Sequence, residues 1–396
     1  MTARNPAIAL FALLFLTTAA AAAPLVENPS RSKDGVTTVT PAEVWRAGGE
    51  DDDIFFGSVG RILGGPDGQV LVLDTQQTQV QVYDRDGEWL HTLGREGDGP
   101  GEARRCSDAF LLSDGRLSLM QQVPGRMVYI NPDATPAGEG RYHTAGEAPS
   151  FVVLVSGRSL PDGALLAGIR IRQQGPVAEQ TFFLARCNAE GEEQAVFLEK
   201  VNTVNYADFR LDELSGDFPW VSRMDTDALG QVYTAPERNQ YLIRVQDPNG
   251  AVVREFTRPA TLSHRTDDET TIARKIQEGI GANYGIPLQG VTVEDTEPMV
   301  AGLWVQNSGE VWVQTPANEL PDGAFALLDV FTADGTFARQ VALHIPGDPQ
   351  RDGLYMLPDG RVVVVHGGLD AWLSQQGIEA STDDAPVLEV VVYEAI

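Results

Sequence analysis

Five histidines are the residues of this chain best suited to bind zinc or to transfer a proton near neutral pH. They are spread along the sequence: His91, His143, His264, His344 and His366. A zinc site needs its ligands within about 2.0–2.3 Å of one point. Whether these side chains can do this chemistry therefore depends on the strands and loops that carry them.

Motifs of several common enzyme classes are absent from the sequence. It contains no Gly-x-Ser-x-Gly elbow, no phosphate-binding glycine loop that ends in Lys-Ser or Lys-Thr, and no paired cysteines at a metal-binding spacing. The glycine-rich segment at residues 94–101 is not a phosphate loop, because Glu96 and Asp98 within it would repel a phosphate. The sequence therefore identifies no catalytic residue.

The composition indicates a folded protein and argues against a nucleic-acid partner. The chain has 396 residues, of which 42% are hydrophobic, and this is enough to bury a large core. Its 56 acidic residues outnumber the 29 basic ones and give a net charge of −27. A nucleic-acid backbone would be repelled by this charge, so we expect no nucleic-acid partner.

The first 22 residues have the layout of a secretory signal peptide. Arg4 precedes an uncharged apolar run at residues 7–16, and a small-x-small cleavage site follows at residues 20–22. The apolar run is shorter than the roughly 20 residues of a transmembrane helix, and an uncleaved anchor is the alternative. We predict that residues 1–22 are removed and that residues 23–396 are periplasmic or secreted, with no membrane span.

A turn signature recurs along the chain and defines a repeat. In most units it is an Asp-Gly or related pair before a short apolar run, and its glycines are Gly68, Gly115, Gly163, Gly230, Gly309 and Gly360. Several units carry a second such turn, and two hairpins make four strands. The glycines lie about 50 residues apart in three of the five intervals, a period typical of β-propeller blades. The prediction is an all-β, six-bladed β-propeller with four-stranded antiparallel blades, and a β-sandwich, which needs no period, is the alternative.

The two longer intervals are predicted to hold insertions. One lies at residues 200–219. The other, at residues 262–284, contains a predicted helix, because Thr266 and Glu269 form a capping box before isoleucines at four-residue spacing. This is the one helical insertion that the sequence indicates.

The two ends of the chain are predicted to share the sixth blade. Residues 36–46 have the pattern of a strand that would pair beside the C-terminal strand at residues 387–393 and remove an open edge. Cys106 and Cys187 fall in different blades, so we expect small buried side chains rather than a disulfide. Four tryptophans within strand patterns are expected to pack between blades: Trp45, Trp89, Trp304 and Trp312.

The first unit combines three strand motifs with a glycine-rich segment. Residues 70–74 (VLVLD), 79–84 (QVQVYD) and 86–90 (DGEWL) succeed one another, and residues 94–102 (GREGDGPGE) follow them. The strand motifs resemble an NHL-type repeat, and the segment at residues 94–102 is similar to the glycine-rich loop of bacterial exported six-bladed β-propellers, a family mostly without assigned activity. Ala103 stands where that family usually has an aromatic residue. The motifs cover residues 54–133, and beyond them the resemblance is one of turn spacing.

The resemblance suggests one possible zinc site. Amidating lyases of this fold hold zinc with three histidines at the central channel. By the phase of the repeat, His91 and His344 fall on outer strands, and His264 falls in the helical insertion. Only His366, and with less support His143, is placed to reach the channel. The resemblance therefore does not lead us to expect a three-histidine zinc site.

Lactonase-like propellers imply a second template, in which Asp, Asn and Glu oxygens hold calcium in the channel. Asp74, Asp108 and Asn239 are the residues of this chain that we assign to such a site, although no spacing rule tests the assignment. We expect no resident cofactor, and calcium is the alternative.

Propeller geometry sorts the loops onto two faces. The hairpins that join first to second and third to fourth strands share one face. The second-to-third loops and the connections between blades share the other, which we call the crossover face and expect to bind the ligand. The ligand-binding candidates on this face are Asp74, Arg95, Glu96, Asp98, Glu102, Arg105, Arg170, Arg238, Asn239 and His366.

Two of these assignments have a structural alternative. The charged residues between Arg95 and Arg105 can pair with one another and hold the glycine-rich connection, and Asp74 can cap the turn after its strand.

The sequence favours a binding or scaffolding module for a protein or small-molecule ligand on the crossover face. The alternative is a calcium-dependent lyase or lactonase-like hydrolase with its site in the channel. That enzyme predicts a bound metal and a cluster of polar residues from four or more inner strands, whereas a binding module predicts no stoichiometric metal and no such cluster.

Overall fold

The computed structural model describes residues 23–50, 54–144, 146, 149–316, 320–379 and 387–396. The predicted signal peptide at residues 1–22 lies outside this part of the chain. Three short strands come first: β1 (Leu25–Glu27), β2 (Val36–Val39) and β3 (Glu43–Gly48). Six small sheets follow and form the blades of a propeller.

The first three blades are regular four-stranded antiparallel sheets. Blade one contains β4 (Val59–Gly64), β5 (Val70–Asp74), β6 (Gln79–Tyr83) and β7 (Trp89–Leu93). Blade two contains β8 (Cys106–Leu111), β9 (Leu117–Gln121), β10 (Arg126–Ile130) and β11 (Pro136–Arg141). Blade three has longer strands: β12 (Phe151–Leu160), β13 (Gly163–Gln174), β14 (Val177–Cys187) and β15 (Glu193–Asn205).

Insertions precede and follow the fourth blade. The first contains β16 (Arg210–Asp212) and the single-turn helix α1 (Glu213–Gly216). Blade four contains β17 (Met224–Thr226), β18 (Val232–Thr234), β19 (Leu242–Gln246) and β20 (Val252–Thr257). The second insertion contains α2 (Asp267–Ala282) and β21 (Gly290–Thr292). Strands β16 and β21 pair in parallel, so the two insertions are joined to each other.

The last two blades complete the ring. Blade five contains β22 (Gly302–Val305), β23 (Val311–Gln314), β24 (Ala326–Phe331) and β25 (Phe337–Leu343). Blade six contains β26 (Gly353–Met356), β27 (Arg361–His366) and β28 (Glu389–Ala395), and helix α3 (Gly368–Gln375) follows β27. N-terminal strand β3 is the outermost strand of blade six, antiparallel to β28.

The chain is thus a six-bladed β-propeller, as the repeat predicts. Each pair of neighbouring blades shares its own cluster of buried apolar side chains, and the cluster between blades six and one closes the ring. Trp45 on β3 belongs to this last cluster and stacks on Tyr83 of blade one, with ring centroids 5.1 Å apart. Trp45 also lies against Gly87, which has a φ of 91° and no room for a Cβ atom.

The N-terminal segment differs from its prediction. Residues 36–46 were expected as one strand of blade six, but they form two strands that belong to different blades. Strand β2 pairs in parallel with β25 as a fifth strand of blade five, and only β3 reaches blade six. Pro41 lies between them and, having no N–H to donate, suits this break. Strand β1 likewise pairs in parallel with β20, so two blades have five strands instead of four.

Asn28 fastens this N-terminal segment to two blades. Its side-chain amide donates to the carbonyl oxygens of Thr257 at 3.1 Å and Gly335 at 2.9 Å. Its side-chain oxygen accepts a hydrogen bond from the Phe337 N–H at 2.8 Å. Both ends of the buried amide are therefore satisfied at the boundary between blades four and five.

The helices lie on the crossover face. Helix α2 begins with the predicted capping box of Thr266 and Glu269. Helix α3 was not predicted, because its N-cap is Gly367, which offers no side-chain cap. The two helices meet where Trp372 packs against Gly279. No helix in the described residues is long and apolar enough to span a membrane.

The two cysteines are free and buried in different blades, Cys106 in blade two and Cys187 in blade three.

Candidate functional site

The glycine-rich connection between blades one and two is held by its own charged residues. Glu102 accepts hydrogen bonds from the Arg95 guanidinium at 2.6 Å and from the Gly99 N–H at 2.8 Å, and these bonds lower its pKa. Arg104 donates to Asp98 at 2.8 Å and lies 3.7 Å from Glu96.

Four of the ligand-binding candidates therefore form ion pairs with charged residues of the same loop: Arg95, Glu96, Asp98 and Glu102. In the described residues Arg105 takes part in none of these ion pairs and is exposed, with a φ of 49°.

Asp74 is buried at the end of β5 and binds backbone N–H groups. Its carboxylate accepts from Gly57 at 2.6 Å, Ser58 at 3.3 Å, Gln76 at 2.9 Å and Gln77 at 3.0 Å. These contacts cap the loop after β5 and tie it to the segment that leads into β4. The carboxylate oxygens therefore have four protein donors already.

Arg170 and Arg238 are also engaged by protein groups. Arg170 donates to the Tyr142 hydroxyl at 2.7 Å, pairs with Glu193 and Glu199, and lies over the Phe183 ring. Arg238 is buried between the two insertions, where it donates to Glu213 at 3.1 Å and to the side-chain oxygen of its neighbour Asn239 at 3.0 Å. Glu213 also binds Arg265, so this cluster fastens the insertions together.

Inner strands of four consecutive blades bring charged side chains to the channel, in alternating sign. Arg61 on β4 lies 3.1 Å from Asp108 on β8. Arg158 on β12 lies 3.7 Å from Asp108 and also 3.7 Å from Asp225 on β17. The carboxylates are further occupied by backbone N–H groups, Asp108 by that of Gly157 at 2.9 Å and Asp225 by that of Val305 at 2.8 Å.

Burial raises the pKa of both carboxyl groups in the channel. That of Asp225 rises to about 6, although the N–H of Val305 opposes the shift. For Asp108, Arg61 and the N–H groups of Gly157 and Ala109 oppose the effect of burial. The array links the inner strands of blades one to five, and its two guanidinium groups, which only donate hydrogen bonds, cannot ligate calcium.

The three residues assigned to calcium come from three different positions in the propeller and are each engaged by protein groups. Asp74 ends β5 and binds backbone N–H groups, Asp108 on β8 pairs with Arg61, and Asn239, in the loop after β18, accepts from Arg238. In the part of the chain that the structure describes, no group of three or more His, Cys, Asp or Glu side chains has metal-binding geometry.

His366 lies in an open pocket of about 440 Å³ on the crossover face, between blades five and six. Three segments build its wall: the connection between the two blades, the end of β27 with α3, and the start of β28. The lining residues are Asp348, Arg351, Asp352, His366, Asp370, Val387 and Glu389. At residues 344–352 the chain turns back on itself, because the N–H groups of Arg351 and Asp352 both donate to the Asp348 carbonyl.

The pocket wall is fixed by hydrogen bonds. His366 Nδ1 lies 2.7 Å from Asp352 Oδ2, and Arg351 pairs with Asp370 at 3.0 Å. Glu389 pairs with Arg46 on β3 at 3.1 Å. Helix α2 braces the same loop, since Gln350 donates to Glu269 at 2.9 Å.

Of the ten ligand-binding candidates, His366 is the one that lines this pocket. Its partner Asp352 and the other charged lining residues were not identified from the sequence. Because the connections between blades share the crossover face, residues 344–352 could have been placed on that face, but the contact between Asp352 and His366 depends on how the blades pack.

Comparison with known proteins gives no family assignment. No family model matches the chain, and no curated protein matches it. Among solved structures, the chain is similar to a Bacteroides fragilis protein whose name describes it as exported, with 11% identity, a TM-score of 0.49 and coverage of 94% of this chain and 99% of that one.

Two further structures are similar at the same level. A DUF4221 family member from Bacteroides vulgatus shares 9% identity, with a TM-score of 0.47 and coverage of 89% of this chain and 97% of that one. Regucalcin from Agrobacterium tumefaciens, named as a calcium-binding protein, shares 13% identity, with a TM-score of 0.44 and coverage of 91% and 95%. At such identities, any function has to be inferred from this chain's own residues.

Proposed function

We propose that the protein is an exported binding module whose ligand site is the pocket around His366 on the crossover face. The observation that carries the proposal is a pocket of about 440 Å³ with a His–Asp pair in its wall. Small-molecule sites are concave, of about 300–1,000 Å³, with a few placed polar groups. Apart from Arg105, which is exposed, the other charged candidates on this face are already paired with protein groups, which favours this pocket as the site for a ligand.

Filling the pocket should abolish binding without affecting the fold. Val387 lines the pocket and its side chain is partly exposed, so Val387→Trp adds bulk there at little cost to stability. We expect saturation-transfer NMR to detect at least one of four probes with the unmodified protein: benzamidine, benzyl alcohol, benzoate or methyl glucoside. The signal should be lost in Val387→Trp.

Leu229→Trp is the matched control, because Leu229 is exposed at a hairpin on the opposite face. This variant should keep the signal. Binding that persists in Val387→Trp, or the absence of binding by all four probes, would contradict the proposal.

The alternative, a calcium-dependent lyase or lactonase-like hydrolase, is favoured by the charged side chains that four inner strands bring to the channel. Against it, the carboxylates of Asp108 and Asp225 already have arginine and backbone partners. We therefore expect elemental analysis of the purified protein to find no stoichiometric metal, and EDTA to leave the melting temperature unchanged. A tightly bound metal whose removal lowers the melting temperature would replace the binding module by the channel enzyme.

A further inference from the structure

The hydrogen bond between Asp352 and His366 determines which imidazole nitrogen can accept a hydrogen bond from a ligand. Asp352 accepts from His366 Nδ1 at 2.7 Å, from the Asp348 N–H at 2.8 Å and from the Gly367 N–H at 2.9 Å. Burial alone would raise the pKa of Asp352, but these three donors hold it below its usual value, so the carboxylate is ionised. An ionised carboxylate only accepts hydrogen bonds, so Nδ1 carries the proton in the neutral ring. Nε2 is then an acceptor.

The pair is held rigidly by the loop around it. Gly347 approaches Asp352 so closely that a Cβ atom there would lie 2.8 Å from Asp352 Oδ2, and its φ of 139° disfavours other residues. In the described residues no protein group donates to His366 Nε2. An imidazole acceptor without a protein donor therefore borders the pocket, in a fixed orientation.

The rest of the wall is also rich in acceptors. Besides Asp352, three carboxylates line the pocket, those of Asp348, Asp370 and Glu389. Two guanidinium groups pair with them, Arg351 with Asp370 and Arg46 with Glu389. The wall thus holds more carboxylates than guanidinium groups, and Val387 supplies an apolar surface beside it.

We infer that the ligand is a small organic cation, an amine or amidine that donates an N–H to His366 Nε2. This inference rests on the proposed function, since it names the ligand class of the same pocket. A cation compensates the excess of carboxylates, and its N–H groups meet the acceptors of the wall. In this arrangement Asp352 is a positioning residue for the ligand's contact with Nε2, because it orients the ring.

Calorimetry with three probes of similar size tests the ligand class. Benzamidine is the cation, benzyl alcohol the neutral analogue and benzoate the anion. We expect benzamidine to bind at least tenfold more tightly than benzyl alcohol, and benzoate not to bind measurably. Two variants should each weaken benzamidine binding by about tenfold: His366→Phe, which removes the acceptor, and Asp352→Asn, which releases the ring. His91→Phe, on the outer strand β7 of blade one, is the control and should bind as the unmodified protein does.

Long-range ¹H–¹⁵N spectra of His366 give a readout that does not depend on any ligand. The unmodified protein should show the proton on Nδ1, and Asp352→Asn should change this tautomer. A proton on Nε2 in the unmodified protein would overturn the inference, even if the variants were unstable.

The outcomes separate this inference from the proposed function. If benzyl alcohol or benzoate binds more tightly than benzamidine and Val387→Trp abolishes that binding, the ligand class is wrong and the binding site stands. If benzamidine binds but His366→Phe binds it equally well, the role of Nε2 is wrong. If no probe binds, the inference fails together with the proposed function.

Discussion

Replacing Arg61 with methionine should lower the free energy of unfolding by about 3 kcal/mol, at the low end of the 3–5 kcal/mol typical of a broken buried ion pair. Arg61 and Asp108 are both buried, and the loss of the guanidinium leaves a carboxylate in the channel without its main partner. Arg158, 3.7 Å from Asp108, compensates only in part. Urea unfolding followed by tryptophan fluorescence measures the change.

A double-mutant cycle checks the mechanism. In Arg61→Met/Asp108→Asn the buried charge is gone, so the double variant should recover at least half of the lost stability. Arg104→Met, which breaks the exposed pair with Asp98, should leave the urea midpoint unchanged. If the single and double variants lose the same free energy of unfolding, the loss comes from packing and not from the uncompensated charge.

Replacing Trp45 with alanine should cost about 3–5 kcal/mol, as for other buried large aromatic residues. Trp45 is 7% exposed, and its ring fills the space between β3, Tyr83 and the turn at Gly87. The change therefore weakens the contact that closes the ring between blades six and one. Thermal unfolding by circular dichroism measures it.

Trp89→Ala is the matched control, because this side chain is 51% exposed and its indole N–H binds Gln81 at 3.0 Å. It should cost less than about 1 kcal/mol. Similar losses in both variants would mean that Trp45 has no special part in closure. Deleting residues 23–48 should have a larger effect than Trp45→Ala. Blade six is then left with three strands, so we expect the truncated chain to lose cooperative unfolding.

The hairpin turns could be predicted because their signals are local. Gly68, Gly87 and Gly360 have φ values of 80°, 91° and 88°, in a region that glycine adopts at low cost, so the sequence marks them directly. The capping box at Thr266 is local in the same way. Once the turns and the period were known, the number of blades and the two faces followed.

Features that depend on distant contacts could not be predicted. The sequence does not show that β2 pairs with β25 while β3, a few residues later, pairs with β28, because the packing of blades five and six decides both. Trp89 has the pattern of a packed strand residue, yet it is exposed because β7 is the outermost strand of its blade. The pocket was missed for the same reason, since Asp352 and His366 come from different segments.

The pairing of β3 with β28 also sets an order of events during biosynthesis. Strand β3 is translated long before its partner β28 and stays unpaired until that strand has been made. A nascent chain that stalls before residue 389 therefore cannot form its final blade, whatever the state of the other five. Chains that terminate before β28 should carry an unprotected edge that chaperones and proteases can recognise.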